Sequence, residues 1–411
     1  LGGLAAARFA LDVLAELESI DGLSLDEHGE RPAFREVLEA PVVRLAGAET
    51  ADGDWLDLAV EVTVGGEQVP FHELFVALVE GASELLLPSG TLFSLDRPEL
   101  HRLVELIVEA RALHDSPRAT ARLSRFQASL WEDLCQLGAT GAEIGARAAA
   151  VAALAAAGDA APAPLPEGLT ATLRPYQVEG FEWLASRYPH GLGGILADDM
   201  GLGKTLQALA LVCHARERGL SEAPFLVVAP TSVVPGWVAE AERFAPDVPV
   251  VAITQTSARR GVGLKEAIEG AGVVVTSYAL LRIDHDDYAG LAWAGLFLDE
   301  AQFVKNPVTK AHRCARQIAA PFKLALTGTP LENSLAELWA LTSITAPGLF
   351  PRPDRFAEAY RTPIERHHDA ERLGQLRRRI RPVLLRRRKE DVAADLPDKQ
   401  EQVVQLELHP R

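Results

Sequence analysis

Three cysteines in 411 residues are too few to staple a fold. Cys135, Cys213 and Cys314 stand far apart, in neither metal-ligand nor disulfide spacing. That excludes a cysteine-rich secreted scaffold and fits a reducing cytosol. The eleven histidines include the adjacent His367 and His368 but no H-x-x-x-H pair, so no zinc site is expected. No apolar run reaches the roughly 18–20 residues of a membrane span. The opening stretch LGGLAAARFALDVLAEL carries Arg8, Asp12 and Glu16 and reads as an amphipathic helix, not a signal peptide. The expectation is a cytoplasmic protein with no membrane partner. The chain starts on Leu1 rather than Met, as expected of a piece of a longer protein.

What is present is ordinary for a globular chain of two or three domains: 48% hydrophobic and 24% charged residues. The net charge of −16 argues against a protein coated in nucleic acid. It still allows a local basic track, because counterion release depends on the residues at the contact.

The chain divides near residue 165, where an alanine-rich stretch (145–157) gives way to APAPLPEG, a proline-broken linker. Before it, the reading is α+β. WLDLAVEVTV alternates apolar and polar residues as a half-buried strand does. PFHELFVALVEG and DRPELHRLVELIVEARAL read as helices, and ELLLPSGTLFSL as a hairpin. Nothing in this part has catalytic spacing, so residues 1–160 are expected to be an accessory domain that offers a surface to a protein partner. After the linker (161–170), short apolar runs alternate with helical stretches. The runs are GGILA (193–197), FLVVAP (225–230), PVVAI (249–253), GVVVTSY (272–278), LFLDE (296–300) and KLALTGTP (323–330). Continuous apolar strands are covered on both faces, the habit of parallel sheets. An α/β domain of this kind binds ligands at the carboxyl ends of its strands.

Several strand ends carry chemistry. LADDMGLGKTLQ (196–207) is a phosphate-binding loop, G-x-x-x-x-G-K-[ST], whose first glycine position holds Asp198. Gly201 and Gly203 let backbone N–H groups turn toward phosphate oxygens, and the helix that follows adds its amino-terminal dipole. Lys204 would meet the β- and γ-phosphates and Thr205 a magnesium ion. LFLDEAQ ends a buried strand on Asp299, which can hold magnesium through water, and Glu300, which can activate the attacking water. Together the two motifs point to a nucleoside triphosphatase of the helicase type. Thr327, Gly328 and Thr329 in LALTGTPLEN suit a segment that senses the γ-phosphate. Thr231 and Ser232 in APTSVVPGW, and Thr276, Ser277 and Tyr278 in VVTSYALL, can hold a nucleic-acid backbone without reading sequence, or simply cap helices. In LRPYQVEGFEWL (173–184), Gln177 has the donor and acceptor to match an adenine edge. No N-K-x-D guanine signature occurs, which agrees with ATP.

These motifs, in this order, resemble the Swi/Snf family of double-stranded-DNA translocases within helicase superfamily two. LRPYQVEGFEWL resembles its adenine-recognition segment, LADDMGLGKTLQ its motif I, and APTSVVPGW, TSY, DEAQFVKN and LTGTPLEN its motifs Ia, Ib, II and III. The family commonly replaces the first glycine of motif I. LLRRRKEDVAADLPDKQE (384–401) resembles the connector between its two RecA-like lobes. The likeness covers roughly residues 170–410. Residues 54–115 also look like the accessory region of bacterial members.

The resemblance implies a RecA-like lobe over 171–370, with a parallel sheet flanked by helices, and a basic connector over 371–411 leading to a second lobe of the full-length protein. It implies ATP and Mg2+ as cofactors, double-stranded DNA as partner, and ATP contacts at Arg174, Gln177, Asp199, Met200, Gly201, Leu202, Gly203, Lys204, Thr205 and Leu206. Gln302 makes the box DEAQ rather than DEAH, with coupling expected to change and catalysis to survive. The family's arginine-rich motif VI occurs nowhere in this sequence. Loss of such an arginine costs roughly 10³–10⁵ in rate, so hydrolysis by this chain alone is expected to be weak. The basic stretch 371–389 has two readings: a DNA contact or brace between lobes, or a solvated helix face beside Glu390 and Asp391. A strand-separating helicase and a nucleotide-gated scaffold are the rival functions.

Overall fold

The computed structural model describes residues 3–26, 33–49, 55–112, 162–329 and 334–392, with short stretches between 121 and 140. The alanine-rich stretch 145–157, Cys135, and Pro330–Asn333 of the LTGTPLEN motif lie outside them.

Seven parallel strands form the sheet of the second part: β1 (Gly194–Leu196), β2 (Phe225–Ala229), β3 (Val250–Ile253), β4 (Val273–Ser277), β5 (Gly295–Asp299), β6 (Lys323–Leu326) and β7 (Leu384–Leu385), in the order β3-β4-β2-β5-β6-β1-β7. All six apolar runs are strands within this sheet. Their side chains alternate between two cores, as the two-residue period of a strand requires. Leu226, Val228, Val274, Leu296 and Leu298 face one core. Phe225, Val227, Val275, Phe297 and Leu326 face the other, among residues of helices α1 (Pro175–Arg187), α2 (Lys204–Glu217) and α3 (Val234–Phe244).

The seventh strand was not foreseen. Leu384 and Leu385 pair beside Ile195 and Leu196, so the first part of the 371–411 connector belongs to the lobe's own sheet. Two residues are too short for a periodic signal, and the flanking arginines mask them. The linker packs on the same lobe: the Gly168 N–H donates to Glu217 at 2.7 Å and the Thr170 hydroxyl to the Arg243 carbonyl at 2.9 Å.

The first part is α+β as expected. Strand Trp55–Val64 pairs antiparallel with Val42–Glu49, the hairpin is Glu84–Leu86 with Thr91–Ser94, and the helices are Phe71–Val79 and Pro98–Ala112. It touches the lobe through Ser124, which donates to the Pro347 carbonyl at 3.1 Å, and Gln127, which donates to that of Gly348 at 3.2 Å. Cys213 and Cys314 are buried free thiols, and burial pushes the first up to about 12. Among the described residues no helix is long and apolar enough to cross a membrane.

Gly193, at the foot of β1, has no room for a side chain: a Cβ would come within 2.1 Å of the Lys323 carbonyl oxygen and 2.6 Å of that of Thr345. Gly193→Ala should destabilise the chain by about 1–3 kcal/mol, seen as a lower urea midpoint. An unchanged midpoint would show that the backbone at Lys323 and Thr345 yields at no cost.

Candidate nucleotide site

The phosphate loop runs from the end of β1 to the start of α2. Gly201 (φ 85°) and Gly203 (φ 76°) are left-handed, a conformation that costs other residues roughly 1–2 kcal/mol. The loop packs from there into the first turn of α2, whose leading N–H groups have no partner within the helix. Lys204 is the first residue of that helix, and its ammonium donates to the carbonyls of Asp198 (2.7 Å) and Asp199 (3.2 Å). Two of its three donors are thus spent, and one remains for a ligand oxygen. Burial lowers the Lys204 pKa, opposed by Asp198, Glu300, Asp299 and Asp199 around it. Of the remaining expected contacts, Met200 and Arg174 are exposed, Leu202 is buried, and Asp199, Thr205 and Leu206 are intermediate.

Gln177 sits against this loop rather than standing free. Its amide oxygen accepts from the Arg174 N–H at 2.9 Å, capping α1, and its amide nitrogen donates to the Leu202 carbonyl at 3.1 Å. The adenine-edge expectation therefore competes with a structural task that is already filled. A Cβ on Gly203 would come within 2.4 Å of the Gln177 amide nitrogen, so the second glycine of the loop is fixed by this contact as well as by its φ.

Asp198, in the place of the first glycine, is fully buried. Its carboxylate accepts from the Arg387 N–H (3.1 Å), from the Arg387 Nε (3.0 Å) and Nη2, and from the Gln207 amide (3.2 Å). The same guanidinium donates to the Tyr176 carbonyl and, at 2.7 Å, to the Gln207 oxygen. Gly180 makes room for this network: a Cβ there would lie 1.8 Å from the Gln207 oxygen. Beyond it, the Asp199 N–H donates to the Arg387 carbonyl at 3.1 Å and the Lys389 N–H to the Asp199 carboxylate at 3.0 Å. In sequence Asp198 is a tolerated departure from the motif and Arg387 is one of nine basic residues between 371 and 389. The available signal was an acidic residue at the end of an apolar strand, since a buried charge must have a partner. Arg387 takes neither expected role: it is buried and ties the basic stretch to the phosphate loop of its own lobe. Arg379 is buried too, whereas Arg377, Arg378, Arg386 and Arg388 are exposed.

Asp299 and Glu300 end β5, two strands from β1 across β6. Asp299 is buried, which raises its pKa, opposed by hydrogen bonds from the Trp237 indole (2.7 Å) and the Glu300 N–H (2.9 Å). Glu300 is left-handed (φ 48°), a strained conformation that turns its backbone sharply off the strand. The Gln302 amide donates to the Glu300 carboxylate at 2.9 Å, and the Thr327 hydroxyl reaches the Gln302 oxygen at 3.5 Å. Gln302 thus bridges Glu300 after β5 and Thr327 after β6. Thr327 in turn accepts from the Thr329 N–H at 3.1 Å, and Gly328 lies on Met200 of the phosphate loop.

Among the described residues no three His, Cys, Asp or Glu side chains form a metal cage. A carboxylate at the end of β5 and a threonine of the phosphate loop are instead the kind of donors that suit magnesium, which shares its shell with phosphates and water. Thr205 and Asp299 would hold it.

The expected DNA contacts divide. Thr231 and Ser232 are exposed on the turn before α3. Thr276, Ser277 and Tyr278 are buried, which corrects the expectation for their side chains. The Thr276 hydroxyl bonds to the Ile253 carbonyl and to Tyr288, Ser277 caps the helix Tyr278–Ile283, and the Tyr278 hydroxyl donates to the Asp299 carbonyl at 2.8 Å. For Ser277 helix capping is the reading that holds.

Arg387→Leu should leave Asp198 as an unpaired buried charge and cost about 3–5 kcal/mol in urea unfolding. Replacing both partners, Asp198→Asn with Arg387→Leu, should cost clearly less than the two single losses added. Additive losses would show that the two charges do not interact.

The SNF2-related domain family matches residues 176–411. YwqA of Bacillus subtilis (strain 168), named for ATP-dependent helicase/translocase activity, is 42% identical over 56% of this chain and 25% of its own length. The chromatin-remodeling ATPase INO80 of Arabidopsis thaliana is 37% identical over 60% of this chain and 17% of its own. The SWI2/SNF2 ATPase core of Sulfolobus solfataricus, solved in complex with dsDNA, aligns at a TM-score of 0.52 and 35% identity, over 56% of this chain and 48% of that one. The chain spans a quarter or less of those two sequence relatives and about half of the solved core. With the family's domain covering more than half of its length and the strand-end motifs assembled on one sheet, this chain belongs to the SNF2-related family.

Proposed function

We propose that this chain is the ATP-binding half of a Swi/Snf-type ATPase that tracks along double-stranded DNA and shifts what is bound to it. The convergence of Lys204 with Asp299 and Glu300 at the strand ends of one parallel sheet carries this reading: both carboxylates lie close enough to oppose the lowering of the buried Lys204 pKa. Lys204 and the loop amides bind the β- and γ-phosphates of ATP. Mg2+, when bound at Thr205 and Asp299, neutralises charge on the phosphates. Glu300, held by Gln302, takes the proton of the attacking water. Thr327, linked to Gln302, and Gly328, against the loop, report the state of the γ-phosphate. Thr231 and Ser232 contact the DNA backbone. A second RecA-like lobe of the full-length protein supplies the arginine that this sequence lacks, and residues 1–160 offer a docking surface for a protein partner.

With a fluorescent ATP analogue and Mg2+, Lys204→Ala should weaken binding about tenfold or more, while Glu300→Gln should leave it within about threefold. Hydrolysis by this chain alone should stay near the Glu300→Gln blank with or without duplex DNA, and rise on addition of the second lobe. Tight binding by Lys204→Ala would remove the phosphate-loop assignment. Strong DNA-stimulated turnover by the chain alone would remove the need for an outside arginine.

A further inference from the structure

Trp237 has no part in the phosphate loop or the carboxylate pair, yet its indole N–H donates to the Asp299 Oδ2 at 2.7 Å. The ring is 1% exposed, so its N–H had to find an acceptor in the interior, and the acceptor is the carboxylate assigned to the metal. The Glu300 N–H holds the other oxygen, Oδ1, at 2.9 Å, and these two donors fix the carboxylate plane. Trp237 stands on α3, directly after the turn that exposes Thr231 and Ser232. The Tyr278 hydroxyl donates to the Asp299 carbonyl at 2.8 Å, while its ring stacks on the exposed Phe303 at 5.4 Å and 11°. Asp299 is thus gripped by one aromatic donor from each of two strand-end segments.

We propose that Trp237 is a positioning residue for the metal-binding carboxylate, supported by Tyr278, and that the Trp237–Asp299 bond carries DNA-backbone binding at Thr231 and Ser232 to the nucleotide site. This rests on the function proposed above. A short turn joins the exposed hydroxyls to α3, so a load on the turn moves the helix as a unit. A hydrogen bond weakens steeply with angle and distance, and one to a charged group is worth about tenfold or more in binding.

The test measures the affinity of this chain for a fluorescent ATP analogue in EDTA and in excess Mg2+, each with and without duplex DNA. Trp237→Phe keeps the ring and removes only the N–H donor. Its affinity in EDTA should stay within about twofold, and its gain in affinity from Mg2+ should fall about tenfold. Duplex DNA should tighten Mg2+-dependent binding by the unaltered chain, whereas the variant should still bind DNA without that tightening. Tyr278→Phe, which keeps the stack on Phe303, should move the same two quantities in the same direction by a smaller factor, and serves if the first variant does not fold. Equal losses in EDTA and in Mg2+ would reduce Trp237 to packing and overturn the proposal, as would an unchanged Mg2+ gain or a preserved DNA response. Failure of the unaltered chain to bind either analogue or DNA would instead overturn the functional reading beneath it.

Discussion

The carboxylate of Asp198 has no exposed surface, and a charge so buried persists only where its partner and hydrogen bonds are complete. Arg387 supplies most of them, from a segment that returns to the sheet at the far end of the lobe's sequence. Main-chain bonds continue on both sides of the pair: Ala197 donates to the Leu385 carbonyl at 2.7 Å and Asp199 to that of Arg387. The loop that would hold phosphate and the segment that leads out of the lobe therefore form one hydrogen-bonded body. A glycine at position 198 would remove the carboxylate that accepts from both Arg387 and Gln207. What looks in sequence like a defective phosphate loop is the anchor of the lobe's last strand.

A second set of contacts radiates from Asp299. Trp237 and Tyr278 grip it from the strand-end segments on one side, and Glu300, Gln302 and Thr327 continue from it toward the loop at Gly328. The strained turn at Glu300 is what lets consecutive residues serve both directions: Asp299 points into the buried aromatics while Glu300 meets Gln302. A few short polar contacts thus tie Asp299 and its neighbours together, and Trp237, on the helix that follows Thr231 and Ser232, reaches the same carboxylate.

Six strands were legible because each is an apolar run closed by turn residues, and the loop and carboxylate motifs were legible because G-L-G-K-T and an acidic pair end strands of one series, a combination that turn formation alone does not require. The contacts that organise the site were not. Arg387 is one of several adjacent arginines, and only the fold decides which one turns inward. By residue type Thr276, Ser277 and Tyr278 suit either a nucleic-acid backbone or helix caps, but the β4 end lies in the interior and their oxygens serve Ile253, Tyr288, Leu280 and Asp299. Gln177 was read by its donor and acceptor, which the neighbouring backbone had already claimed. Long-range polar pairs leave no period in a sequence, so pattern finds the elements and misses what ties them together.

The most direct measurement is amide hydrogen exchange at Ala197, Asp199, Arg387 and Lys389, with and without ATP and Mg2+. If loop and connector are one body, ligand at the phosphate loop slows exchange at Arg387 and Lys389 together with Ala197 and Asp199. Protection confined to Ala197 and Asp199, with Arg387 and Lys389 unchanged, would contradict it.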